Sequence, residues 1–293
     1  SAPGLRTPRG TSGLNENYAR ELLELHTLGV DAGYTQHDIV EVARAFTGWT
    51  IRQPRAGGDA YFAPRRHDPG VKQVLGQRIT EGGRGDGERV LDILARHPAT
   101  ERHLARKLAV RFVSDAPPDA LVARVAARFT ETGGDLRATV EALVRSPEFL
   151  APEHRRTKVK TPIEFVASTL RVLDADVRQA GMLGQELRTL GMPPYFAAPP
   201  TGYSDRADAW TNAGALVQRM NLAVAITHGR LRGVAPPRLP NVPTEAPDAR
   251  ARAIAEALLL RAPSAATLAT VARAKTDADM AALVLGSPEF QRR

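Results

Sequence analysis

The sequence lacks cysteine altogether, contains few aromatic residues and has no apolar stretch long enough to cross a membrane. Without cysteine there is neither a disulfide framework nor a thiolate nucleophile, which fits an oxidising or a reducing compartment equally. A membrane-spanning helix needs about 20 consecutive apolar residues, and the apolar runs here are far shorter. Because aromatic residues make up only 5% of the chain, Trp49, Tyr203 and Trp210 stand out as candidates for a binding surface.

Lysine is also scarce, since five of the 40 basic residues are lysine and the rest are arginine. The formal net charge is +8, but no basic run is interleaved with aromatic residues, and no zinc-finger, OB-fold or RNP pattern is present. Nucleic-acid binding is therefore not expected. The apolar share of 43% and the charged share of 25% are those of an ordinary globular protein with a buried core.

The stretch from Asn15 to Thr50 predicts two helices joined by a tight turn. Asn15 is a suitable N-cap for the first helix, Gly29 a suitable C-cap, and Thr35 the N-cap of the second helix. Apolar residues recur at helical spacing in both segments, which indicates one buried face on each. Those residues are Leu22, Leu25 and Leu28 in the first helix and Ile39, Val42, Ala43 and Phe46 in the second.

Glu21 and Glu24 lie three residues apart on the first predicted helix, which brings their carboxylates together. Such a pair suits acid/base catalysis or metal binding. The alternative is an ordinary charged helix surface in which Arg20 and Asn17 accompany the acids. His26, near the end of the helix, is interpreted as a residue that interacts with the helix dipole.

Residues 52–89 are expected to be irregular, with the glycine run at 82–87 acting as a flexible breaker. Residues 61–62 and 71–79 are predicted to form short extended pieces and a hairpin. His67 and Asp68 form a pair in a predicted turn, and this pair is either catalytic or structural.

From Glu88 onward the sequence predicts helices almost throughout, including a three-helix module that occurs twice. Each copy closes on a Ser-Pro-Glu-Phe motif, at 146–149 and at 287–290. We interpret each motif as a helix stop with an apolar anchor.

Lys158 and Lys160 directly precede a helix whose start is marked by Thr161, Pro162 and Glu164, which together predict a capping box. An anion bound at the helix N-terminus and salt bridges to Glu21 and Glu24 are equally compatible with this pattern.

The segment 191–209 is a long loop rich in proline and aromatic residues, and a helix follows from Asn212. Tyr203 and Trp210 in and after this loop, with Arg219 and Asn221 on the helix, are candidates for a ligand-binding groove. The alternative is a proline-stiffened strap whose aromatic side chains fill the core.

Several strings resemble a bacterial family, the domain-of-unknown-function family 1800: NENYARELLELHTLG, HDPGVKQVLG, KVKTPIEFV and PPTGYSDRADAW. The resemblance covers nearly all of residues 13–229. It implies a longer protein with further helices upstream, export in many members and a sulfatase-like protein partner, but no reaction. The motif positions are Asn15, Glu16, Asn17, Tyr18, Arg20, Glu21, Glu24, His26, Trp49, His67, Asp68, Lys158, Lys160, Pro162, Glu164, Tyr203, Trp210, Arg219 and Asn221.

The predicted fold is mainly α, a multi-helix bundle with a repeated three-helix module and a small irregular or β-hairpin insertion. We expect a disordered tail at 1–13, a helical core at 14–232 with its insertion at 52–89, a proline-rich linker at 233–247 and a final module at 248–293. The chain begins with Ser-Ala-Pro-Gly in place of Met, so we also expect an upstream part, with any targeting signal, to be missing.

Two functions compete. The first is a helical scaffold or ligand-binding protein of the cell envelope, periplasmic or extracellular, whose polar residues form a buried network and whose ligand is a carbohydrate or a peptide. The second is a carbohydrate-active hydrolase in which Glu21 and Glu24 act as acid and base, His67 and Asp68 support them and Trp49 belongs to an aromatic platform. No cofactor is expected. A divalent metal held by His26, His67, Asp68 and the glutamates is a weaker third hypothesis.

Overall fold

The computed structural model describes residues 13–240, 242 and 246–293, and in these residues the protein is mainly α-helical. The predicted tail at 1–13 therefore lies almost entirely outside the described residues. The α-helices are α1 Glu16–Glu21, α2 Gln36–Ala45, α3 Arg84–Ala95, α4 Pro98–Phe112, α5 Asp119–Glu131, α6 Leu136–Val144, α7 Pro147–Leu150, α8 Pro162–Val172, α9 Ala180–Thr189, α10 Ala213–Thr227, α11 Pro247–Leu259, α12 Ala265–Val271, α13 Asp277–Gly286 and α14 Pro288–Gln291.

In the described residues four short strands form two antiparallel pairs, which confirms the small β insertion. The strands are β1 Trp49–Ile51, β2 Ala60–Phe62, β3 Lys72–Val74 and β4 Gln77–Ile79. In the first pair Trp49 lies opposite Phe62, and in the second Lys72 lies opposite Ile79. No helix in the described part of the chain is both long and apolar enough to span a membrane.

The chain divides into two compact units. The first comprises Ser1–Ala109 and Pro118–Ser146, and the second Val110–Pro117 and Pro147–Arg293. The sequence-based domain boundaries, with a linker at 233–247 and a final module at 248–293, stay a prediction.

The core of the first unit lies between α1, α2, α3 and the β3–β4 hairpin. Its buried members include Leu23, Ile39, Val42, Ile79 and Leu94. The caps that start its first two helices are as the sequence predicts. The Asn15 side chain accepts a hydrogen bond from the Tyr18 backbone N–H, and Thr35 forms a capping box with Asp38.

A π-helix at Leu22–Thr27 follows α1 directly, where the sequence predicts a continuous α-helix. The Thr27 hydroxyl donates to the carbonyl oxygen of Leu22, 2.7 Å away, and the imidazole Nε2 of His103 lies 3.3 Å from the Leu25 carbonyl oxygen. Carbonyl groups in this segment thus have side-chain partners. Isolated π-helical turns of this kind are frequent at functional sites.

The glycine run at 82–87 is not simply a flexible breaker. Helix α3 begins at Arg84 and includes Gly85 and Gly87, four residues earlier than the sequence predicts. A Cβ atom on Gly87 would lie 3.1 Å from the indole nitrogen of Trp49 and 3.3 Å from the ring of Phe46. Glycine at this position therefore allows the helix to pack closely against two aromatic side chains.

The core of the second unit is formed by α8, α10, α11 and α13, with Phe165, Leu222, Ile254 and Val284 among its buried residues. The predicted capping box at Thr161 and Glu164 is confirmed, and the helix predicted from Asn212 is α10, with the Asn212 side chain as its N-cap. Each Ser-Pro-Glu-Phe motif ends one helix, but its proline also begins another short helix, α7 or α14.

Candidate functional site

A cleft of about 840 Å³ opens in the first unit between α1, the end of α2 and β1. Most of its lining is apolar or aromatic. The residues that shape it are Tyr18, Phe46, Thr47, Trp49, Ile51 and Leu91. Clefts of this size with aromatic walls and a few polar groups are the usual form of a small-ligand site.

The aromatic walls are held by contacts between their rings. Tyr18 and Phe46 meet edge to face, with their centroids 5.3 Å apart, and Trp49 meets Phe62 in the same way at 5.8 Å. Tyr18 keeps 47% of its surface exposed, so it is available to a ligand. Gly48 connects α2 to β1 with φ +90°, and a Cβ atom there would lie 2.8 Å from Phe62, so glycine is required at this turn.

Directly beyond Thr47, which lines the cleft, lies a buried polar network formed by His67, Lys72 and Asp86. The Lys72 ammonium is 2.5 Å from the Asp86 carboxylate, and the His67 Nε2 is 3.1 Å from the same oxygen. These side chains are 0 to 4% exposed. Lys72 also donates to the backbone oxygen of Asp68. Such a closed group satisfies its own charges without solvent.

The position of one proton on His67 follows from its partners. The Nδ1 atom lies 2.9 Å from the Thr47 carbonyl oxygen, which can only accept, so Nδ1 carries a hydrogen. The Thr47 hydroxyl donates to the Arg44 carbonyl oxygen and accepts from the Asp68 backbone N–H. Thr47 therefore connects the cleft wall to the buried network on one side and to Asp68 on the other.

A second group of charges lies around Arg44, whose guanidinium binds both carboxylate oxygens of Asp68, at 2.9 and 3.0 Å, and Glu41 at 2.7 Å. The hydrogen bond from Arg44 is the main reason that the pKa of Asp68 is lowered to about 2. Glu41 also accepts from the Gln73 backbone N–H. Asp68 is thus an ionised partner of arginine in this unit, and it is not poised as a general acid.

Burial alone would raise the pKa of Asp86, but hydrogen bonds from Lys72, Gly82 and His67 outweigh it and lower the pKa. Asp86 was not among the residues singled out from the sequence, because it lies inside the glycine run. Arg44, Glu41 and Lys72 were missed as well. Several of their contacts join residues far apart in the chain: Lys72 and Asp86 are 14 residues apart, Arg44 and Asp68 are 24 apart, and Glu41 and Gln73 are 32 apart.

The two predicted catalytic glutamates are not among the described residues that line the cleft. Glu24 lies 3.5 Å from Arg20, and partial burial together with Glu24 raises the pKa of Tyr34 to about 12. One carboxylate oxygen of Glu21 is buried without a hydrogen-bond partner among the described residues. The two acids belong to different elements, since α1 ends at Glu21 and the π-helix begins at Leu22. Their catalytic role stays a prediction.

The other predicted residues of the first unit are at or near the surface. Asn17 and His26 are exposed, and Arg20 donates to the side chain of Gln36 at 2.9 Å. Among the described residues, no group of three or more histidine, aspartate or glutamate side chains is placed to hold a metal ion.

In the second unit, Lys158 is 3% exposed, and its ammonium binds the Asp115 carboxylate and the Asp205 backbone oxygen. Arg219 is 1% exposed and donates to Gln291 and to the Lys160 carbonyl oxygen. Both side chains are therefore structural contacts within the unit. Asn221 is exposed.

Tyr203 and Trp210 make hydrogen bonds that hold the 191–209 loop, whereas Tyr195 and Phe196 in the same loop are exposed. Trp210 is 7% exposed, and its indole N–H donates to the Ser204 carbonyl oxygen at 2.8 Å. The Tyr203 hydroxyl donates to the Pro193 carbonyl oxygen at 2.6 Å. These contacts match the structural alternative, and a role of Tyr203 and Trp210 in ligand binding stays a prediction.

Fold and site together define a mainly α-helical protein with an aromatic cleft built over a closed network of buried charges. The family described as "Protein of unknown function (DUF1800)" matches residues 3–292, and the chain belongs to this family. No curated protein and no solved structure matches the chain.

Proposed function

We propose that the protein is a ligand-binding protein that holds a carbohydrate in the aromatic cleft of its first unit. The observation that carries this proposal is that the cleft wall presents aromatic side chains, whereas the nearby carboxylates are already bound to cations. The wall offers Tyr18, Phe46 and Trp49, whereas Asp68 and Asp86 are each bound to a cation. Aromatic rings supply a large contact area at little conformational cost, which suits a flat sugar ring.

The hydrolase alternative needs two carboxyl groups facing one substrate, about 5 Å apart for retention or 6.5–9.5 Å apart for inversion. No carboxylate lies among the described residues that line the cleft. This alternative is supported by the buried carboxylate oxygen of Glu21, which has no hydrogen-bond partner in the described part of the chain. If the protein hydrolyses the carbohydrate it binds, Glu21→Gln will abolish product formation.

On the basis of its family, we also propose that the protein acts in the cell envelope, in the periplasm or outside the cell, together with a sulfatase-like partner protein. The family resemblance supports this part of the proposal, and the cleft does not bear on it.

The test is calorimetric titration of a panel of neutral oligosaccharides into the wild-type protein and into two tyrosine variants. Tyr18 is a half-exposed wall of the cleft, while Tyr195 is fully exposed on the second unit. Because base stacking on aromatic side chains contributes roughly 1–3 kcal/mol in nucleic-acid complexes, we expect a sugar stacked on Tyr18 to bind about tenfold more weakly to Tyr18→Ala. Tyr195→Ala, the matched control, should bind as wild type. Equal loss in both variants, or no binding by the wild type, would contradict the proposal.

A further inference from the structure

The second unit contains two adjoining cavities that the cleft does not involve. Their volumes are about 890 and 530 Å³, and both are lined by Arg156, Glu289 and Arg292. The larger one extends towards Arg155 and Arg261, and the smaller one towards the residues around Lys160. All of their lining residues belong to the second unit.

The lining of these cavities carries seven basic side chains and one acidic side chain. The basic ones are Arg155, Arg156, Lys160, Arg171, Arg261, Arg292 and Arg293. The acid, Glu289, accepts hydrogen bonds from the Thr267 hydroxyl at 2.7 and 2.8 Å and from the Ser264 backbone N–H at 3.1 Å. Its carboxylate is thus engaged by neutral donors, and it leaves most of the positive charge uncompensated.

Six of these seven cations have no ion-pair partner among the described residues. Arg155 and Arg261 donate to the backbone oxygens of Leu150 and Glu289, whereas the side chains of Arg156, Arg171 and Arg292 have no hydrogen bond in the described part of the chain either. Arg293, by contrast, lies 3.0 Å from Glu164. The Lys160 ammonium sits 3.7 Å above the ring of Phe290 and has no carboxylate within 4 Å in the described part of the chain. A half-buried ammonium whose contact is an aromatic face retains donors for an anion.

Arg156 lines both cavities, and its positive charge acts on Lys160 in one and on Arg261 in the other. Burial lowers the pKa of Lys160 to about 8, and repulsion from Arg156 and Arg219 adds to this effect against the attraction of Glu164. Burial also lowers the pKa of Arg261, with Arg156 again contributing. The Nε atom of Arg261 is buried without a hydrogen-bond partner among the described residues. The cations therefore repel one another in the absence of a counter-charge.

The backbone at the cavities is strained in two places. Arg156 has φ +57° and Leu260, at the end of α11, has φ +55°, and both are non-glycine residues in the left-handed region. Leu260 lines the smaller cavity and is 81% exposed. Strained non-glycine residues concentrate at ligand-binding positions, where the geometry is kept for the sake of the ligand.

Seven cations thus lie on two concave surfaces that share Arg156, Glu289 and Arg292, and among the described lining residues Glu289 is the one acid. We infer that these cavities form a binding site for a small polyanion with at least two phosphate or sulfate groups, held by Arg156, Arg292, Lys160 and Arg261. Arginine and lysine bind such oxyanions through charge-assisted hydrogen bonds. This site is independent of the carbohydrate cleft.

The experiment titrates tripolyphosphate and, in a separate arm, sucrose octasulfate into the protein by calorimetry at low and at high sodium chloride. We expect binding that weakens as salt rises, because the contacts are partly exposed ion pairs. Saturable binding of either probe supports the site.

The variants Arg156→Gln and Arg292→Gln each remove one exposed cation at the junction of the cavities. The loss of one hydrogen bond to a charged group changes affinity by about tenfold or more. Each variant should therefore weaken binding of the probe by at least that factor. Arg102→Gln removes an exposed arginine of the first unit and makes the same change in net charge. This control should bind within about twofold of wild type, because Arg102 is not among the residues that line the cavities and an exposed charge without direct contact is screened.

An equal loss in Arg102→Gln would mean that net charge alone attracts the probes, and the site would be rejected. It would also be rejected if neither probe bound the wild-type protein, or if both junction variants bound as tightly as wild type. Circular dichroism spectra of the variants, matching wild type, exclude unfolding as the cause of a loss.

Discussion

The buried pair of Lys72 and Asp86 should contribute more to the stability of the first unit than any exposed pair in it. The side chains are 0% and 2% exposed and lie 2.5 Å apart. Replacing Lys72 by methionine leaves the Asp86 carboxylate buried, with His67 and the Gly82 N–H as its remaining partners among the described residues. Breaking a buried ion pair in this way costs about 3–5 kcal/mol of unfolding free energy.

The exposed pair of Arg145 and Glu141 supplies the matched control. Their atoms are 2.7 Å apart, which is almost the same distance, but the side chains are 78% and 51% exposed. Exposed pairs contribute about 0–1 kcal/mol, so Arg145→Met should change stability little. A double variant, Lys72→Met with Asp86→Asn, should recover part of the loss, because no unpaired charge remains.

Urea unfolding followed by tryptophan fluorescence measures these differences. The chain has two tryptophans, so a Trp210→Phe background leaves Trp49 as a reporter inside the first unit. A loss of 3–5 kcal/mol corresponds to a midpoint shift of at least about 1 M urea, since slopes are about 1–3 kcal/mol per M. If Lys72→Met lost no more stability than Arg145→Met, the network would not be the closed, mutually satisfied structure described above.

Two further predictions concern the same unit. The pKa of Asp68 is lowered to about 2, from about 3.9 in an unfolded chain. Its bond to Arg44 therefore adds stability that is complete above about pH 4 and is lost as the pH falls towards 2. Acid titration of unfolding should show this loss in the wild-type protein, and Asp68→Asn should remove that part of the pH dependence. Gly87→Ala should destabilise the unit by about 1–3 kcal/mol, because the added Cβ lies 3.1 Å from the Trp49 indole nitrogen. Gly184→Ala in α9 of the second unit is the control: no atom lies within 4 Å of the new Cβ, so this change should stabilise its helix by up to about 1 kcal/mol. Thermal unfolding of both variants checks the sign, and stabilisation by Gly87→Ala would refute the close packing.

The sequence predicts the local parts of this fold well, because local hydrogen bonds define them. The predicted caps at Asn15, Thr35 and Thr161 each use a side chain and a backbone group within three residues. The β3–β4 hairpin is equally local.

The π-helix at Leu22–Thr27 was not predictable in this way. Leucine and glutamate favour an α-helix there, and one contact that accompanies the π form comes from His103, 78 residues from its partner. Propensity within a short window contains no such information.

The candidate site was predictable in part. Trp49, His67 and Asp68 were identified from their residue types, and the structure places Trp49 in the cleft wall with His67 and Asp68 in the networks next to it. Asp86 was not identified from the sequence, because the glycines around it predict a flexible segment. An aspartate in the first turn of a helix is a signal that could have been used, since the positive end of the helix dipole favours it.

The most direct test of the account is a fluorescence titration of the Trp210→Phe protein with the oligosaccharide panel. Trp49 is then the sole tryptophan, and it forms part of the cleft wall. A saturable change in its emission, weakened by Tyr18→Ala and unchanged by Tyr195→Ala, is the predicted result. Unchanged emission from Trp49 while calorimetry detects an oligosaccharide bound elsewhere would contradict the assignment of the cleft as the binding site.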